Sequence, residues 1–80
     1  MKRHARTAYE ALQRMGVPVL HPDLEWGGHF AISGEDKGGL DYYGDTFGEY
    51  GRGKQITDEL SKHGLFFEWV NSGVAAVYDE

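Results

Sequence analysis

The sequence predicts a single α+β domain over residues 1–80, a small antiparallel β-sheet with two helices in the order α-β-β-α-β-β. Three observations predict it. Residues 65–70 and 74–78 are runs of β-branched and aromatic residues separated by Asn71, Ser72 and Gly73, the pattern of a β-hairpin. Ala5, Ala8, Tyr9, Leu12 and Met15 recur at the spacing of one helical face, and Ile56, Leu60 and His63 repeat that spacing later in the chain.

Taken in order, residues 2–15 form an amphipathic helix closed by Gly16 and Pro18. Arg3, His4 and Arg6 fall in its first turn, where the helix dipole disfavours positive charge, so this end frays or meets an acidic neighbour. Residues 16–28 hold Pro18, Pro22, Gly27 and Gly28 and read as a connector with one extended segment, too punctuated by proline for a central strand; Trp26 within it caps the core. Residues 29–33 alternate as a strand with Phe30 and Ile32 on one face. A glycine-rich loop follows at 34–39, and residues 40–43 return as a strand with Leu40 and Tyr42 inward.

The stretch 44–54, with four glycines, predicts no regular element. A helix of about 9–11 residues then carries Ile56 and Leu60, with Thr57 as a candidate N-cap and Gly64 as its stop. In the hairpin, a three-residue loop needs Gly73 at positive φ with Val70 opposite Val74. That register puts Leu65, Phe67, Trp69, Ala75 and Val77 on the core face. Phe66, Glu68, Val70, Val74, Ala76 and Tyr78 take the other, which Glu68 interrupts.

A chain this short buries only about 60–65% of its unfolded surface, so its two Trp, five Tyr and four Phe have to supply a dense core. It has no cysteine, hence no disulfide framework and no thiolate ligand. No apolar run approaches the roughly 20 residues of a membrane span, and the basic start leads into an amphipathic segment rather than a signal-type block. A cytoplasmic setting without membrane contact is the expectation.

Phosphate-loop chemistry is suggested only by Gly48 to Lys54, which fits GxxxxGK and then fails, with Gln55 where Ser or Thr must reach Mg²⁺. His4, His21, His29 and His63 lack metal-ligand spacing; only His21 with Asp23 offers two close ligands from one loop, so a metal is held only by spatial convergence. Ser61 and His63 are two apart on a helix and face different ways, and no serine sits in a nucleophile elbow. The expectation is a protein that is not an enzyme, with no catalytic residue, no cofactor and no metal ligand assigned.

The charge is more informative. The net charge is −5, with four basic residues against one acid in residues 1–20 and twelve acids against four basic residues in 21–80. Such a body does not suit direct nucleic-acid binding, which needs a cationic footprint, and suits a basic partner. A negative surface serves solubility as well. Residues 34–50 interleave acids with aromatics, the composition of a binding patch. Tyr42 and Phe47 are assigned to the core. Glu35, Asp36, Asp41, Tyr43, Asp45, Glu49 and Tyr50 are the candidate partner-binding residues.

In size, acidity and architecture the chain resembles small inhibitor proteins of phages and mobile elements, in particular the anti-CRISPR proteins that act on type I Cascade complexes. The resemblance rests on profile and on no shared motif. It implies evasion of host defence by binding a basic surface of a nucleic-acid-binding complex in the host cytoplasm and blocking access to target DNA. The alternative is a structural or regulatory homodimer that pairs through Phe66, Val70, Val74 and Tyr78. An enzyme or metal protein would depend on His21, His29 or Asp41.

Overall fold

In a computed structural model of the chain, which describes residues 1–21, 27–34 and 52–80, the element order is α1 (Arg3–Arg14), β1 (Val19–Leu20), β2 (Phe30–Ser33), α2 (Arg52–Lys62), β3 (Leu65–Asn71) and β4 (Val74–Asp79). The four strands form one antiparallel sheet in the order β1-β2-β4-β3. The class is therefore α+β, and the element order is the expected one. Its first two strands are assigned differently, however. Val19–Leu20, the extended segment within the expected connector, pairs with β2 and is outermost among the described strands, and the expected strand 40–43 lies outside the described residues, as does Trp26.

The position of Val19–Leu20 has a physical reason. Pro18 carries no N–H and stands just ahead of the strand, where its carbonyl accepts from Ser33 N at 2.9 Å. Proline at the mouth of an outer strand costs the ladder nothing.

Helix α1 buries Ala5, Ala8, Tyr9 and Leu12, the stripe read from the sequence. It ends in a Schellman motif: Gly16 N donates to Gln13 O, and Val17 N donates to Leu12 O, both at 3.0 Å. Leu12 and Val17 join the same core cluster, the apolar contact that accompanies this cap.

Helix α2 starts earlier than its sequence pattern indicates, at Arg52, inside the stretch expected to be irregular. Gly53 is buried, and Thr57 is no N-cap. Its Oγ1 donates to Gly53 O at 2.8 Å from within the helix. Packing supplies what local propensity lacks: Ile56 and Leu60 are fully buried against the sheet, and tertiary burial outweighs the roughly 1 kcal/mol that a helical glycine costs.

In the hairpin, Phe66 faces Tyr78, Phe67 faces Val77, Glu68 faces Ala76 and Trp69 faces Ala75, the expected register. The loop differs. Asn71 pairs with Val74, Val70 is left as a bulge, and the turn shrinks to Ser72 and Gly73, with Gly73 N donating to Asn71 Oδ1 at 2.8 Å. Gly73 is not among the positive-φ glycines. A two-residue turn without positive φ mismatches strand twist, and a bulge adjoining it adds the twist back.

Both helices cover the sheet face that carries Phe30, Ile32, Leu65, Ala75 and Val77, with Phe67 and Trp69 packed at its margin. The opposite face presents Phe66, Glu68, Val70 and Tyr78, where the Phe66 and Tyr78 rings lie 5.9 Å apart and Val70 is exposed. No helix among the described residues is long and apolar enough to cross a membrane.

Candidate functional site

Three segments remote in sequence meet beside the first turn of α1. Alternation along β4 puts Asp79 on the same face as Val77, the face that the helices cover, and its partner in β3 is Leu65. Glu80 N donates to Gly64 O at 3.0 Å and anchors the backbone just past it. His4 reaches the carboxylate from α1, whose next residue, Ala5, is fully buried and fixes the helix on the sheet.

His29 arrives from the other side, at the entry to β2. Gly27 and Gly28 both take positive φ, and His29 N donates to Val77 O at 2.7 Å. The chain thus turns tightly against β4 before it enters the sheet.

The three side chains converge on one oxygen. His4 Nε2 donates to Asp79 Oδ1 at 2.6 Å, and His29 Nε2 donates to the same oxygen at 3.0 Å. The two imidazoles meet edge to face, with centroids 5.3 Å apart and planes at 78°. His29 is the most enclosed, with its side chain 16% exposed, while those of His4 and Asp79 are 40% and 48% exposed. The hydrogen bond from His4, then that from His29, holds the Asp79 carboxyl below its ordinary 3.8, against a smaller opposing effect of desolvation.

The cluster also answers the charge at the start of α1. That turn contains no acid and its N-cap, Lys2, gives no side-chain hydrogen bond. Asp79 is the acidic neighbour expected there, delivered by the strand that ends the sheet.

The remaining histidines lie elsewhere. His21 stacks beside Tyr9, ring centroids 5.5 Å apart, in an open cleft of about 490 Å³ lined also by Met1, Arg6 and Glu10. Its suggested companion Asp23 is outside the described residues. His63 Nε2 stands 4.0 Å from Glu59 Oε1, and Lys62 Nζ is 3.1 Å from Oε2 of the same residue. The phosphate-loop lysine, Lys54, sits in α2 with its ammonium 2.9 Å from Asp58 Oδ2.

Glu35, Asp36, Asp41, Tyr43, Asp45, Glu49 and Tyr50 all lie outside the described residues. The sequence leaves His4 and His29 to spatial convergence, with no partner named for either, and Asp79 is not among its candidates. The signal that finds it is the hairpin register: the alternation that sends Ala75 and Val77 to the core face sends Asp79 there too.

Compared with protein-family models, curated proteins and solved structures, the chain matches none.

Proposed function

We propose that the chain is a non-enzymatic protein-binding inhibitor. Its acidic, tyrosine-bearing segment 35–50 docks on a Lys- and Arg-rich surface of a nucleic-acid-binding complex and keeps nucleic acid off that surface. Segregated charge supports this reading: twelve acids against four basic residues in 21–80, with Asp41, Asp45 and Glu49 set among Tyr43 and Tyr50. Carboxylates that alternate with aromatics suit a partner whose own ligand is a polyanion, because they offer it the same charge with added apolar anchorage. The specific instance is a type I Cascade complex in a host cytoplasm, the target implied by the profile resemblance.

Electrophoretic competition with purified Cascade tests it. The expected result is loss of target DNA binding at saturating protein, restored when Asp41→Lys and Asp45→Lys are combined. Undiminished DNA binding at saturation removes the Cascade proposal. Inhibition that the double variant leaves intact removes the acidic segment from it.

A second reading has its own observation. On the sheet face opposite the helices, Ala31 and Ala76 are buried, while Val70 is exposed and Phe66 and Tyr78 are half-buried, an apolar patch at the β3 side suited to a second copy. Light scattering across a concentration series decides it, since a strict monomer at the highest concentration eliminates the homodimer.

A further inference from the structure

We infer that His4, His29 and Asp79 form a binding site for a divalent transition-metal cation, zinc in the first instance, with His4 Nε2, His29 Nε2 and Asp79 Oδ1 as protein ligands and solvent completing the shell. The site is independent of the proposed docking segment and goes beyond that reading.

The donor set favours such a cation. Two imidazole nitrogens and one carboxylate oxygen suit zinc and its neighbours, whereas magnesium and calcium prefer oxygen alone. The three donor atoms lie within 4.8 Å of one another, and both imidazole nitrogens already point at a single carboxylate oxygen. Zinc bonds of about 2.0–2.2 Å in a tetrahedral shell set donor atoms roughly 3.3 Å apart. The 2.6 and 3.0 Å contacts therefore open by less than about 1 Å to admit the ion, while the two imidazole nitrogens, within 4.8 Å of one another, close toward the same spacing. Asp79 is half exposed at the end of its strand and the His4 ring is 40% exposed, so rotation of these two side chains makes the adjustment without moving the sheet.

The backbone around the ligands is fixed by contacts other than those within the cluster. His29 is held by its amide bond to Val77 O and by the Gly27 and Gly28 turn. Asp79 is set by pairing with Leu65, and His4 by a helix whose buried face belongs to the core. Each ligand comes from a different element, so the ion ties α1, the entry to β2 and the end of β4 together. A chain of 80 residues without cysteine has few other ways to gain such a staple.

The test uses the full chain, freed of any affinity tag and stripped with a chelator, titrated with zinc chloride near neutral pH by calorimetry. One zinc per chain is expected at micromolar affinity or tighter. His4→Ala, His29→Ala and Asp79→Ala each weaken it about tenfold or more, whereas His21→Ala and His63→Ala leave it unchanged. The imidazole nitrogen resonances of the unmodified protein give a second readout that does not depend on the folding of a ligand variant. Zinc shifts those of His4 and His29 and spares those of His21 and His63. Absence of saturable binding overturns the site, as does zinc that perturbs only His21 or His63.

Discussion

Gly28 lies directly beneath the carbonyl of Val77: a Cβ built on Gly28 falls 2.6 Å from Val77 O and 3.2 Å from a Tyr78 ring carbon. The obstruction is backbone, which has no rotamer to yield.

Gly64 offers the control. Its φ of +71° nearly equals the +75° of Gly28, but nothing lies within 4 Å of its virtual Cβ. Gly64→Ala is expected to cost about 1 kcal/mol, the left-handed strain alone. Gly28→Ala adds displacement of β4 and is expected to exceed about 2 kcal/mol. Urea denaturation of the two variants measures the difference, and equal losses refute the close approach.

Asp79 carries a pH dependence of defined sign. Its carboxyl titrates below 3.8 in the folded chain and near 3.8 when unfolded, so its contribution is fully present above 3.8 and disappears as pH falls through the lowered value. In metal-free protein, the stability gap between wild type and Asp79→Asn is expected to narrow below 3.8 as the folded carboxyl takes up its proton. Denaturant midpoints measured across an acid series check this; a gap that widens with acid contradicts the hydrogen bonds from His4 and His29.

Leu60 is fully buried where α2 meets the sheet. Leu60→Ala is expected to cost about 3 kcal/mol through lost burial and the cavity left behind. The urea midpoint should fall while the slope stays unchanged, because the packing is lost without loss of the two-state transition. A cost under about 1 kcal/mol would mean that α2 is not anchored through this side chain.

The α1 stripe and the hairpin faces were legible because each is a periodicity that packing reinforces. Tyr9 and Leu12 have to be buried together, and the pairing of Trp69 with Ala75 leaves no choice for Phe67 and Val77. The start of α2 was not legible, since Gly53 opposes helix locally and only the burial of Ile56 and Leu60 overrides it. The turn is one residue shorter than the spacing predicts because the Asn71 side chain takes up the Gly73 amide, an alternative to positive φ at Gly73 that spacing does not distinguish. The cluster needed tertiary structure: His4 and Asp79 are 75 residues apart, and no local pattern joins them.

The strand order carries a consequence for how the chain is made. β4 is hydrogen-bonded to both β2 and β3, yet every other element precedes it in sequence. During synthesis β2 leaves the ribosome before the neighbour that will cover its inner edge, and β3 likewise waits for the strand that joins it to the rest. The β1–β2 and β3–β4 pairs are local, whereas the joining of β4 to β2 closes a long span of chain, so completion of the sheet is the late, slow step. Helix α1 does not have to wait for β4: Tyr9 meets Phe30 of β2 edge to face, ring centroids 5.3 Å apart, and α2 packs on the same helix, so part of its apolar face is covered before residues 74–79 emerge.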